Sequence, residues 1–402
     1  MPLRIGFGEY NITPPIGVTM AGYDKREGTA NAVHDPLTAR AMVVSDGTTS
    51  AALVVADLIG LRPEHTDRIG RLVQDWTGIP RGHVIAAGTH THSGPDEPRG
   101  RWSGRASTNH RYADLLPDLV ASAAVRAHGD LRPATLSAAT AVTRGLTVNR
   151  RHPGGVTDPE LSVVEVRRRG QTAGALLNFA CHGVVMGPDN LALSADWIGS
   201  TRAALAERLP GAFPLVAVAP SGNINPLPRS IRKLMREKGP GFFTNDPFSG
   251  IYDRTGGTFA EARQMGSALA RTAAGALERA EPLSAAAGVR VAAVRTDIGQ
   301  GRAALPVRLR LVRMGQVVLL GIPGELFVET GLAIKSAVRD LGLFPVVSVH
   351  APTMAYIPTA EAFAEGLEHD YEVDWARGLG MAPDAADRVL AAIRRGLRRL
   401  VR

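Results

Sequence analysis

Apolar runs of strand length recur along this sequence, and most lead straight into a segment of helical period or a tight knot of polar residues. Leu37–Ser45 and Ser50–Leu58 carry too little apolar–polar alternation for half-exposed strands, so both read as strands buried on two faces. Glu64–Thr77 is an amphipathic helix by its spacing, and Val84–Ala87 is a short strand running into Gly88-Thr89-His90. The periodicity predicts further helices at Tyr112–His128, Asp196–Arg208, Phe259–Arg279, Glu325–Leu341 and Pro383–Val401. Strands are expected at Leu161–Arg168, Thr172–Ala180, Leu215–Ala219, Ala286–Asp297, Leu305–Arg313, Gln316–Ile322 and Phe344–Ala351. Tight turns such as Arg169-Gly170 make antiparallel pairs, whereas strand–helix–strand successions make parallel ones. The expected class is therefore α/β, with mixed β-sheets flanked by helices. No internal repeat is visible along the chain.

Composition narrows the function classes. The 402 residues are 45% hydrophobic and 21% charged, enough apolar mass for a sizeable core, which excludes a disordered, collagen-like or coiled-coil chain. The net charge of +8 invites a nucleic-acid partner. Only four of the 46 basic residues are lysine, however, and the arginines are scattered among Asp and Glu with no nucleic-acid motif, so none is expected. No window approaches 18 apolar residues and Met1-Pro-Leu-Arg-Ile-Gly has no apolar stretch, so the expectation is no transmembrane segment, no signal peptide and a cytoplasmic protein. A single cysteine, Cys181, excludes a disulfide scaffold and leaves His, carboxylate and other oxygen ligands for any metal.

The residues richest in chemistry sit just past predicted strand ends: His90 and His92, His182, Asn223 and Asn225, and Glu325. Loops at strand carboxyl ends are where α/β enzymes gather their ligands. On a helix, His90-Thr91-His92 would splay its two rings apart; on an extended segment entering the Gly94-Pro95 turn they can approach one ion. Two histidines capping turns would give the same pattern. His182 ends an apolar strand, as a ligand or as a structural residue. Glu325, expected at a helix start, is either an anionic ligand or a partner of the helix dipole.

Seven motifs then fall into a familiar order: His90-Thr91-His92-Ser93-Gly94-Pro95, Asn149-Arg150, Asn178-Phe179-Ala180-Cys181-His182, Ser194-Ala195-Asp196, Gly222-Asn223-Ile224-Asn225-Pro226, Pro323-Gly324-Glu325 and Tyr356-Ile357-Pro358-Thr359. Across residues 3–375 the chain resembles the catalytic domain of the neutral (non-lysosomal) ceramidases. The resemblance implies one large catalytic domain over residues 1–402, without the immunoglobulin-like domain of longer members. It implies one zinc ion per chain, held by His90, His182, Glu325 and Tyr356. It places His92 beside the scissile group or behind the metal, and Arg150 on the substrate side or holding a carboxylate. Asp196 is implied as the orienter of a metal-bound histidine. Asn223 lies in the same loop, and His34, in another family-like stretch, reads as structural or pocket-lining.

One departure matters. The family's Gly-Asp-Val-Ser-Pro loop reads Gly222-Asn223-Ile224-Asn225-Pro226, so its serine is Asn225 and its aspartate Asn223. An amide nitrogen is no acyl-accepting nucleophile. The expected mechanism is attack by zinc-bound hydroxide on a linear amide, with His92 as acid–base and the Asn225 NH2 donating to the oxyanion. The substrate is expected to be a small-molecule or lipid-like N-acyl amide. A biosynthetic amide-forming or cyclising enzyme, or a catalytically impaired metal-stabilised binding protein, are the alternatives. After the loop, Arg229–Lys238 joins five positive charges to Ile231, Leu234 and Met235 at helical spacing and leads into Gly239–Phe243. That stretch reads equally as a lid over the substrate or as a basic surface helix with an apolar inner face.

Overall fold

The apolar runs become the strands of three large sheets in a computed structural model of the chain, which describes residues 2–96, 109–246, 249–253, 255–348 and 355–402. The first sheet contains β1 (Arg4–Asn11), β2 (Thr38–Ser45), β3 (Ser50–Ala56) and β4 (Val84–Gly88), side by side in the order β4-β3-β2-β1. β1, β2 and β3 form an antiparallel meander. The helix α1 (Pro63–Thr77) then carries the chain across to β4, which pairs with β3 in parallel. After α2 (His110–Gly129), the second sheet repeats this plan with β5 (Thr135–Val142), β6 (Glu160–Arg168), β7 (Gln171–Phe179), the crossover helix α3 (Asp196–Arg208) and a parallel β8 (Phe213–Val218). Two more helices follow, α4 (Arg229–Lys238) and α5 (Phe259–Leu277). The third sheet does the same with β9 (Val289–Asp297), β10 (Pro306–Met314), β11 (Val317–Gly321), the helix α6 (Val328–Arg339) and a parallel β12 (Phe344–Ser348). Helices α7 (Ala360–Glu365), α8 (Tyr371–Gly378) and α9 (Ala385–Val401) complete the described chain.

A β-β-β-α-β unit is thus used three times, although no internal repeat is visible in the sequence. The repetition lies in element order and strand pairing, which different side chains satisfy equally well. The inner faces of the three sheets meet in one core, built from Leu53, Val55 and Ile85 of the first, Val164 and Leu215 of the second, and Leu319 of the third. The outer face of the first sheet buries Val54 and Ala86 against Ile69 of α1 and Val120 of α2. Outer residues such as Leu177 and Leu320 pack with Trp197 of α3, Leu269 of α5 and Ile393 of α9. Central strands are therefore covered on both faces, which explains apolar runs in place of alternation. Each fully buried Leu or Val contributes about 1.5–3 kcal/mol by burial.

The predicted helices all form, with end shifts that have local causes. The helix expected from Glu325 begins at Val328. Glu325 and Leu326 pair in parallel with Tyr356 and Ile357, and the Glu325 N–H donates to the Ala355 carbonyl at 2.8 Å, so it is committed to a ladder. The dipole account of Glu325 therefore fails. The strand expected over Phe344–Ala351 ends at Ser348; positions 349–351 lie outside the described residues. β1 and β5 were not expected, because Gly, Ala, Ser and Thr carry little apolar signal. Among the described residues, no helix is long and apolar enough to cross a membrane.

Candidate metal and catalytic site

The parallel pairs β3/β4, β7/β8 and β11/β12 each deliver polar residues just beyond their strand ends. Past β4, the Thr89 and His90 N–H groups donate to the Ala56 and Leu58 carbonyls at 2.8 and 2.9 Å. His90 then takes a left-handed backbone conformation with φ of 60°. Such a conformation is uncommon outside glycine and persists where surrounding contacts enforce it. Thr91 pairs with Gly183, and the His92 N–H donates to the Gly183 carbonyl at 3.0 Å. A Cβ on Gly183 would stand 2.6 Å from the His90 carbonyl oxygen, so only glycine lets the two loops close. That closure puts the His90 and His182 ring centres 4.5 Å apart.

Each of the three rings donates its Nδ1 proton to a backbone carbonyl: His90 to Ile59 at 2.7 Å, His182 to Ser221 at 2.7 Å and His92 to Gly22 at 3.0 Å. These partners fix the tautomer and leave every Nε2 as a lone pair. The Nε2 atoms of His90 and His92 are 3.3 Å apart, and ligand atoms of all three buried histidines lie within 4.8 Å of one another. Glu325 Oε2 sits 3.2 Å from the Nε2 of both His90 and His182, yet among the described residues this buried oxygen finds no hydrogen-bond donor. Lone pairs facing a buried carboxylate repel unless a cation lies among them. The donor set, imidazole nitrogens plus one carboxylate, suits a divalent metal.

The electrostatics agree. Burial, reinforced by Arg150 and His90, lowers His182 to about 3. Burial and the other two rings also push His92 well below its ordinary value. Both rings are neutral at pH 7. Burial, with Glu325 nearby, lifts the Tyr356 phenol well above its usual value, so it keeps its proton in the metal-free protein.

Arg150 forms the other wall. It is buried, with its guanidinium carbon 5.0 Å from the Tyr252 ring centre and 5.3 Å from that of Tyr356. Its Nε donates to Glu372 Oε1 at 2.7 Å, while Nη1 lies 3.4 Å from both His182 Nε2 and Asn225 Oδ1.

Residues 3–212 match the sequence profile of the N-terminal part of the neutral/alkaline non-lysosomal ceramidases. The chain belongs to that family. Its members are hydrolases of amide bonds. A neutral ceramidase of Pseudomonas aeruginosa is 27% identical over 220 residues, covering 49% of this chain and 32% of that protein. The match thus spans about a third of that curated relative's length. Among solved structures, a ceramidase complexed with C2 matches the whole chain and 75% of its own, with a TM-score of 0.78 at 19% identity. The crystal structure of neutral ceramidase from Pseudomonas aeruginosa matches the whole chain and 74% of its own, with a TM-score of 0.73 at 19% identity. At that identity the likeness is one of fold. It extends the mixed α/β ceramidase architecture over the part of the chain beyond residue 212.

Against the ceramidase-based expectations, the structure gathers His90, His92, His182, Glu325 and Arg150 at one place, with Tyr356 and Asn225 beside Arg150. His92, expected beside the ligands, has its Nε2 within the metal-capable group itself. The histidines are oriented by carbonyls, and not by Asp196 as expected. The Asp196 carboxylate instead accepts from the N–H groups of Val185 at 3.2 Å, Met186 at 2.9 Å and Trp197 at 2.6 Å, ordering the turn after His182. Asn223 does not turn its side chain to the site. Its Oδ1 accepts from the Val328 N–H at 2.9 Å and its Nδ2 donates to Glu329 at 3.0 Å, which caps α6. The Asn225 NH2, expected to face an oxyanion, points to the Ile251 carbonyl at 3.4 Å. His34 is exposed and stacks on Phe259 with ring centres 3.6 Å apart, a structural contact. In α4, Ile231 is buried with Phe242 and Tyr252, while Arg229, Arg232, Lys233, Arg236 and Lys238 are exposed. That is the surface-helix form.

Two site residues escaped the sequence reading: Glu372 and Tyr252. Glu372 is fully buried and accepts from Arg150 and from the Tyr252 hydroxyl. Its signal was weak but present, since a lone carboxylate shares the buried face of α8 with Val373 and Ala376.

Proposed function

We propose that the protein is a zinc-dependent amidohydrolase acting on a linear N-acyl amide, ceramide-like or smaller. The observation that carries this reading is the convergence of three imidazole nitrogens in one buried site, two of them 3.2 Å from a Glu325 oxygen that has no hydrogen-bond donor among the described residues. His90, His182, Glu325 and Tyr356 would hold the ion, with His92 at its edge. Zinc in such a site supplies an acidified water and polarises a carbonyl.

The chain's own groups supply the rest. His92, neutral and fixed by the Gly22 carbonyl, offers Nε2 to take a proton from the attacking water and return it to the leaving amine. Arg150 presents a buried, permanently charged guanidinium beside His182, suited to the oxygen that gains charge at the acyl carbon. Asn225 accepts from Arg150 and holds it toward the site. Its amide nitrogen carries no acyl group, so no covalent acyl-enzyme forms there.

A panel of N-acyl amines graded from ceramide to short-chain amides tests this function directly. Release of free amine from at least one member, abolished by chelation and restored by zinc, supports it. No release from any member, with condensation of free acid and amine instead, would move the chain to the amide-forming class.

A further inference from the structure

The Arg150 guanidinium creates a problem for the proposed metal site: a buried positive charge stands 3.4 Å from a histidine nitrogen that has to bind a cation. Glu372 answers it. This carboxylate, fully buried in the first turn of α8, accepts from the Arg150 Nε–H at 2.7 Å and from the Tyr252 hydroxyl on its two oxygens at 3.0 and 2.9 Å. The same carboxylate also lies 3.9 Å from the Arg151 Nε. Arg151, next in sequence, ties that part of the chain down through Asp370 at 2.5 Å and Glu365 at 3.0 Å. Tyr252 is held in turn among Val148, Ile231, Phe242 and Ile251, so the carboxylate is fixed from two sides.

We propose that Glu372, set by Tyr252, is a positioning residue that neutralises Arg150 and fixes its guanidinium beside His182, so that a metal cation and an arginine can share one buried site. Without Glu372 the Arg150 charge would face the ion uncompensated, and leaving a buried charge unpaired is costly. The Arg150 Nη2, buried and without a hydrogen-bond partner among the described residues, is then the donor left to meet substrate.

This inference rests on the metal-dependent reading, and metal affinity separates the two. Zinc binding is measured by competition with a chromophoric chelator for the wild type and for the Glu372→Gln, Tyr252→Phe, Arg150→Met and Arg150→Met/Glu372→Gln variants, with circular dichroism to confirm folding. Glu372→Gln should weaken binding by about 10–100-fold, and Tyr252→Phe by less. Arg150→Met should bind at least as tightly as wild type, and the double variant should recover most of the loss. Equal affinity of Glu372→Gln and wild type would overturn the proposal, as would a double variant as weak as the single one. Should Glu372→Gln fail to fold, Tyr252→Phe decides: unchanged affinity overturns the clamp. A wild type that binds no zinc would instead defeat the metal reading itself.

Discussion

At the scale of single residues, the site is a set of lone pairs aimed by backbone carbonyls. His90, His92 and His182 were legible because only these side chains, in a chain with one cysteine, can supply neutral metal donors past strand ends. Their orienting partners were not legible, because Ile59, Ser221 and Gly22 act through main-chain oxygens that any residue carries. Gly22 is the exception worth testing. Its φ is +100°, and a Cβ there would lie 2.4 Å from His92 Nδ1. Gly22→Ala should cost more than about 1 kcal/mol in chemical denaturation and should slow hydrolysis by displacing His92. A fully active, equally stable variant would show that His92 is not held as described.

The same rings predict a pH dependence. His182 is lowered from 6.5 to about 3 and His92 is lowered too, so the unfolded chain binds protons that the folded one refuses. Stability of the metal-free protein should therefore rise with pH across the window from about 3 to 6.5, and fall as acid is added. Each histidine contributes up to about 1.4 kcal/mol per pH unit there. Urea titrations from pH 4 to 7 with chelator present would reveal this slope; a flat profile would mean the rings are already protonated in the fold.

At the scale of elements, helix and strand positions followed from hydrophobic period, while their ends were decided by polar contacts made at a distance in sequence. α6 shows this well. The helix starts at Val328 because Glu325 is committed to a ladder with Tyr356, and because Asn223, 105 positions away, accepts the Val328 N–H. Asn223→Ala should lower stability by about 1 kcal/mol. Asn223→Asp keeps the acceptor but sets a carboxylate against Glu329, 3.0 Å from the present nitrogen, and should cost more. Thermal melts of the two variants provide the check, and the reverse order would contradict the capping role. Glu372 belongs to this scale as well, since pairing it with Arg150 joins residues 222 positions apart. Nothing local announces such a pair.

At the scale of the whole molecule, the mixed α/β class was readable from strand–helix alternation, but the threefold use of one β-β-β-α-β plan was not. Sequence reveals a repeat only when side chains recur, and here only connectivity does. We propose that the chain behaves as one catalytic domain, because all three sheets contribute to a single central core. Unfolding followed by near- and far-ultraviolet circular dichroism should then give one coincident transition. Leu53→Ala, at that junction, should shift the whole transition by about 2–5 kcal/mol. Separate transitions, or loss of one phase alone, would mean independent units.

The central claim is that these loop ends build a metal centre, and elemental analysis of purified protein measures it most directly. The account predicts close to one zinc ion per chain after dialysis against zinc, falling to background in the His90→Ala/His182→Ala variant together with amide hydrolysis. A zinc-free protein that hydrolyses its substrate at full rate would contradict it.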